Sequence, residues 1–352
     1  MAKNNLFDPK TELKNCTFVK TILMLMVVLY HSMIFWTGNW FSAASPVYAS
    51  EVLGGISRYL NTFLTQGFAF VSGYIFYYIK CEKNGYSSFG VFIKNKSLRL
   101  LVPYAFISLV WVIPIQMIFS DVSLNDIFIK YALGTSPSQL WFLLMLFDTF
   151  VISYFLSRFW QKHNFGGLIS VGFIYGLGMV GTKIMPNIFM IWKSCTFVYL
   201  FWTGFKIRQC CSNPYMQKIR RIPFVIYIAV DILLYATLDY VESMDVTIYS
   251  ILTNMMRPLV QGFGAFSIFF VLQQLADIVK WDNKIFDGLS RHSMTVYLLH
   301  QQLIYCTIYV FNGWFSPYLH CVVNFVFSFV TSFVISIVLT KFKVTRTLIG
   351  EK

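Results

Sequence analysis

Apolar residues gather along this chain in ten long runs, with polar and charged residues collected between them. The runs lie at about 18–37, 59–79, 100–119, 139–157, 165–182, 188–205, 223–239, 248–275, 292–311 and 318–340. Each is close to the ~20 residues that a helix needs to cross hydrocarbon. The run at 248–275 is long enough to tilt or to extend past the bilayer. The pattern predicts an all-α fold, a polytopic membrane bundle of about ten transmembrane helices. The connections read as short loops, the longest at about 39–58 and 120–138. The second of these, "DVSLNDIFIKYALGTSPSQ", carries turn formers. No linker, low-complexity segment or repeat interrupts the pattern. The expected organisation is therefore a cytoplasmic segment at 1–17, a ten-helix membrane domain at 18–340 and a cytoplasmic tail at 341–352.

Composition agrees, with 57% of residues hydrophobic and 12% charged, about half the charged share of a soluble domain. The net charge of +13 could indicate nucleic acid, but the placement of the charges argues for topology instead. Counting connections alternately puts 23 of the 28 basic residues on one side, from Lys3, Lys10, Lys14 and Lys20 through Lys280 to Lys352. Only Arg58, Lys130, Lys183, Lys193 and Arg257 fall on the other. That bias places both termini in the cytoplasm. Anionic membrane lipids, not nucleic acid, become the expected partners of the positive charge. The seven cysteines show no metal-ligand spacing, so reduced, structural thiols are expected and no metal site is. The first run is too long for a cleaved signal peptide.

Polar residues inside the runs are the candidates for chemistry, because an ionisable group in hydrocarbon is expensive to keep. His31 lies eleven residues beyond Lys20, about 16 Å deeper along a helix and close to three whole turns on, so the two share a face. It can be a base or a histidine hydrogen-bonded to a neighbouring helix. Ser72 and Gly73 in "TQGFAFVSGYIFYYI" suit close helix packing, or admission of a ligand to the backbone. Lys96 and Arg99, one turn apart, suit a phosphate-bearing ligand or a positive-inside anchor. Trp141 in "QLWFLLMLFD" can be a substrate contact or an aromatic-belt residue. Asp148 has Arg58, Arg257 and Lys183 as possible partners, and Asp231 is a similar intramembrane carboxylate. In "GLSRHSMTVYLLHQQLIY", His292 lies near the cytoplasmic interface. Tyr297 and His300 are one turn apart and can share a polar cavity or make structural hydrogen bonds. Walker A, GxSxG, HExxH and Rossmann fingerprints are absent.

The order of these pieces resembles the acyltransferase-3 family of membrane enzymes that move acyl groups onto sugars and other acceptors. The family's basic residue, ten-residue gap and histidine read here as Lys20 and His31. Its "FF-x-x-SG-[FY]" reads "FAFVSGY", with Ser72 and Gly73. Its R-x-x-R followed by proline reads Lys96, Arg99 and Pro103. "LWFL" stands at Leu140 to Leu143, and the closing "S-x-x-[IVL]-Y-L-x-H" at Ser293 to His300. The chain departs from the pattern at Lys96, which lacks arginine's fork. It departs again at Gln139, where relatives often carry histidine.

The resemblance implies an O-acyltransferase of the plasma membrane with no bound cofactor. Acyl-CoA, acetyl-CoA in the simplest case, is the donor, and the acceptor is a hydroxyl of a cell-surface or lipid-linked glycan. His31 is the implied general base, and Lys20, Lys96 and Arg99 the implied donor-binding residues. Ser72, Gly73, Trp141, Tyr297 and His300 are implied to line the tunnel or bind substrate. The alternative is a secondary transporter or flippase for a sugar or lipid-linked glycan, which would favour internal repeats and matched broken helices. An O-antigen-type polymerase would carry a long basic outer loop. Neither signature is visible.

Overall fold

The computed structural model describes residues 9–351 apart from 39, 120–122, 136, 245–246 and 280. Lys3, Lys280 and Lys352 of the basic set lie outside the described residues, as do parts of the 39–58 and 120–138 connections. Every regular element among the described residues is helical. Among the described residues, eight helices are long and apolar enough to cross a membrane: Lys10–Thr37, Phe89–Phe119, Ser138–Lys162, Asn164–Ile184, Ile188–Gln209, Phe224–Glu242, Leu252–Ile278 and Pro317–Thr340.

The two remaining apolar runs also form helices, but of a different kind. The 59–79 run is broken between Glu51–Asn61 and Leu64–Tyr77, where Phe63 takes a non-helical φ of −133°. The 292–311 run lies within Lys284–Phe311, whose interior holds buried His300, Gln301 and Gln302. Those groups make the helix less apolar than a plain lipid span, and their partners explain why they are tolerated.

Two connections read as loops contain helices. Glu51–Asn61 buries Leu53, Gly54, Ser57 and Leu60 along one face. Leu124–Ala132 begins at a reciprocal cap, in which Asp126 N donates to Ser123 Oγ at 3.1 Å and that hydroxyl donates to Asp126 Oδ2 at 2.7 Å. The basic stretch at 80–99, between two apolar runs, carries the helix Phe89–Lys96, capped by Ser88. Beyond it the backbone widens into π turns at Ser97–Leu101 and Ser108–Val112. Each precedes a proline, Pro103 and Pro114, whose missing N–H would otherwise have closed the regular helical bond. The tail covers the first break, because a Cβ on Gly350 would stand 2.8 Å from the Arg99 carbonyl oxygen. Gly350 has φ +75° and Ile349 beside it is fully buried.

The chain forms two compact units. The first takes the described parts of Met1–Leu23, Asn61–Gly85 and Tyr199–Ser290. Its core turns on two glycines: the Phe201 carbonyl occupies the space of a Cβ on Gly73, and the Phe70 carbonyl that of one on Gly204. Backbone therefore meets backbone, as small residues allow in membrane helix packing. Beneath that crossing, Arg220 pairs with Glu12 at 2.9 Å, and Tyr74 donates its hydroxyl to the same carboxylate. Arg208 binds Glu82 through two nitrogens, at 2.7 and 2.8 Å, and Arg257 pairs with Glu242 at 2.7 Å. The second unit takes Met24–Leu60, Tyr86–Val198 and the described part of Arg291–Lys352. It is tied together by side-chain hydrogen bonds, among them Thr307 to Asn324 at 2.6 Å and Tyr104 to the Tyr131 carbonyl at 2.6 Å.

Candidate active site

The second unit brings His31 and His300 together, with His31 Nδ1 3.0 Å from His300 Nε2. Their environment fixes the tautomers. His300 Nδ1 lies 3.1 and 2.8 Å from the carbonyl oxygens of Val296 and Tyr297, groups that only accept, so this nitrogen carries the proton. Neutral His300 then offers its Nε2 lone pair, and His31 Nδ1 must donate to it. His31 Nδ1 also lies 3.0 Å from the Val27 carbonyl, which again demands a proton there. The second nitrogen of His31, Nε2, is left with an unprotonated lone pair. His300 is fully buried, while His31 is half-buried.

Around the pair the helix bearing His300 is held by amide and phenol contacts. Tyr297 donates to the Gln139 carbonyl at 2.6 Å. Gln139 and Gln302 exchange two hydrogen bonds, at 2.5 and 3.1 Å, and Gln139 also donates to the Leu298 carbonyl at 2.9 Å. Gln301 donates to Ser138 Oγ at 3.1 Å and to the Tyr305 hydroxyl at 2.5 Å. Trp111 fixes the Leu299 carbonyl at 3.1 Å.

A cavity of about 430 Å³ opens beside these contacts, lined by Trp40, Trp141, Tyr305, Gln301, Lys130 and Lys193 among others. Trp40 joins it to the histidines, with its ring 5.7 Å from that of His31 and 4.8 Å from Tyr305. The rim is strained. Ser138, Phe189 and Met190 adopt positive φ of 51°, 54° and 60°, a conformation that costs about 1–3 kcal/mol for residues with a Cβ. Ser138 and Met190 line the cavity, and Phe189 N is anchored on the Leu133 carbonyl at 2.7 Å.

Of the residues singled out in the sequence, His31, Tyr297, His300 and Trp141 meet in this region. Lys96 and Arg99 belong to the same unit but not to the cavity lining. The Lys96 ammonium sits 3.3 Å from the centre of the Phe150 ring, and Arg99 is exposed. Lys20, Ser72 and Gly73 belong to the first unit, where Lys20 and Ser72 are half-buried and Gly73 packs on Phe201. Asp148 receives the Ser194 hydroxyl at 3.4 Å. Asp231 is buried beside Gly264. His292 contacts Ser336 at 2.8 Å near the tail residue Glu351, whose carboxyl burial pushes above the ordinary range.

Trp40, Lys130, Lys193, Gln301 and Tyr305 were not singled out. Lys130 and Lys193 nevertheless carried a signal, since they are two of the five cations that break the positive-inside bias. A charge on the disfavoured side invites a question about its use.

A family model described as an acyltransferase domain, that of the acyltransferase-3 family, matches residues 15–341. The chain belongs to this family. The match covers nearly the whole chain, and with it every residue of the His31 and His300 site. Acyl transfer in a membrane is the activity that this family supports. No curated protein and no solved structure matches the chain.

Proposed function

We propose that this acyltransferase is an O-acyltransferase of the plasma membrane, with ten membrane helices and both termini in the cytoplasm. It moves an acyl group, acetyl in the simplest case, from acyl-CoA to a hydroxyl of a cell-surface or lipid-linked glycan. The observation that carries this reading is the ordered histidine pair beside the cavity. His31 Nε2 takes the proton of the acceptor hydroxyl as its oxygen attacks the thioester carbonyl. The C–S bond breaks, the ester forms, and the departing CoA sulfur receives the proton from Nε2. CoA thiol and acylated glycan leave, and the ring returns to its starting state.

His300 acts through His31. By accepting from Nδ1–H it aims Nε2 and stabilises the imidazolium that forms in the transition state. General-base help of this kind is worth about 10²–10⁴-fold in rate. Lys96 and Arg99 hold the phosphates of CoA at the cytoplasmic face. Tyr297 and Trp141 border the path of the acceptor.

The test is transfer of label from radiolabelled acetyl-CoA into glycan, comparing membranes that hold matched amounts of wild type and His31→Ala. Label with the wild type and none with the variant is expected. Equal label in both would remove His31 from the chemistry. Absence of label in both, with acetyl and succinyl donors alike, would turn the reading towards sugar transport.

A further inference from the structure

We propose that the cavity beside the histidine pair is a subsite for an anionic saccharide, one whose sugar ring bears a carboxylate or phosphate. This deepens the acyltransferase reading and rests on it for the identity of the acceptor. Three independent features of the lining point to that chemistry.

The first is charge. Lys130 and Lys193 both line the cavity, and no carboxylate is among its described lining residues. Both lysines are half-buried. Burial holds Lys130 below the ordinary lysine range, a sign that its ammonium is short of solvation that an anion would supply. In the proposed topology the two stand on the outer side, where cations are least expected.

The second is the aromatic surface. Trp40 and Trp141 line the cavity, and Trp141 also lies 5.5 Å from the Lys193 ammonium. Flat indole faces suit the apolar faces of a sugar ring. The ammonium beside one of them is then positioned for a charged substituent at the ring's edge. Gln116, Gln301, Ser42 and Ser138 supply amide and hydroxyl groups for the remaining oxygens.

The third is position. Trp40 contacts both the His31 ring and the Tyr305 ring, so a sugar seated on it lies within one side chain of the proposed base. The volume of about 430 Å³ is in the range of small-ligand sites and suits a short saccharide rather than a polymer wrapped along a groove. Positive φ at Ser138 and Met190, on two separate segments of the lining, is the kind of strain that persists where a site must hold its shape.

The experiment is ligand binding to the full chain in nanodiscs, followed by saturation-transfer NMR with three probes. These are cellobiose, its C6-oxidised uronic-acid counterpart and cellobiose 1-phosphate. One or both anionic probes should bind about tenfold more tightly than cellobiose, the value of one charge-assisted contact. Preference for the uronate would identify a carboxylate-bearing sugar, and preference for the phosphate a phosphorylated or lipid-diphosphate-linked one. Lys130→Gln and Lys193→Gln should erase the preference and its dependence on salt, while Lys130→Arg and Lys193→Arg should keep it. Equal binding of all three probes, no binding of any, or an anion preference that survives both glutamine variants would overturn the proposal. Acyl transfer is read separately from these binding data. An anion preference with no His31-dependent label transfer would sink the catalytic reading and leave the subsite standing.

Discussion

His31 Nδ1 donates to His300 Nε2 at 3.0 Å, and His300 in turn is oriented by the two backbone carbonyls of Val296 and Tyr297. The relay runs from helix backbone through one imidazole to the next and ends on the unprotonated Nε2 of His31. It is a device for aiming a nitrogen, built entirely within one of the two compact units. In the proposed mechanism His300 is a positioning residue, and glutamine at that place can still accept from His31 Nδ1–H while leucine cannot. His300→Leu should lower kcat for acyl transfer about tenfold or more with little change in KM for acyl-CoA, and His300→Gln should recover much of it. Equal losses in the two variants would mean that the ring fills space and aims nothing.

Arg99 and Lys96 are one turn apart but differ in surroundings. Arg99 is exposed, whereas Lys96 rests on the Phe150 ring at 3.3 Å from its centre. Arg99→Ala should therefore raise KM for acyl-CoA about tenfold with kcat unchanged, as expected when a remote phosphate contact is lost. Arg99→Lys should restore only part, since the bidentate fork is gone. Lys96→Met should raise KM and also lower thermal stability, because a cation–π contact disappears with the charge. Steady-state kinetics on purified protein decides the matter. An unchanged KM in Arg99→Ala and Lys96→Met would take both residues out of the donor site.

Gly73 and Gly204 face the carbonyls of Phe201 and Phe70, so that neither position has room for a methyl group. Gly172 and Gly176 meet nothing within 4 Å. Alanine at Gly73 or Gly204 should cost about 1–3 kcal/mol or more and reduce the yield of folded protein, as overpacking does. Alanine at Gly172 or Gly176 should be neutral or slightly stabilising through helix propensity. Fluorescence-detected size exclusion in detergent, read after a temperature ramp, compares the four. Retention of normal stability by Gly73→Ala would disprove the backbone crossing.

The all-helical build and eight of the ten apolar runs as membrane-length helices could be read from the sequence, because hydropathy over about twenty residues is a strong signal. What escaped it was local. The break at Thr62 and Phe63 carries neither proline nor glycine, so nothing in the 59–79 run announces it. Leu124–Ala132 was announced, by Ser123 three places before Asp126, but turn formers around it drew the reading to a loop. Motif order isolated His31, Tyr297, His300 and Trp141, which do converge. The cavity itself stayed hidden because Trp40, Lys130, Lys193 and Tyr305 come from segments far apart in sequence, and only the charge asymmetry marked two of them. Gly73 allowed two readings in the sequence, close packing and a place by a ligand, and the Phe201 carbonyl against it supplies the partner that the packing reading asks for.

The Gln139 and Gln302 pair tests how much the polar network around His300 matters to the fold. Both residues are nearly fully buried, and each satisfies the other through two hydrogen bonds. Removing one partner strands an amide among apolar neighbours, which costs about 1–3 kcal/mol. Gln139→Leu should thus lower the melting temperature measured in detergent, and Gln302→Leu should do the same. The double variant leaves neither amide unsatisfied and should be more stable than the sum of the two losses implies, with a coupling of about 1 kcal/mol or more. Activity should behave differently from stability. Without Gln139 Nε2 on the Leu298 carbonyl, the turn that carries Tyr297 and His300 loses an anchor, so kcat should stay depressed in the double variant even as its melting temperature recovers. Full additivity in stability would show that the two amides do not depend on each other. Recovery of kcat together with stability would show that the anchor plays no part in aiming the histidines.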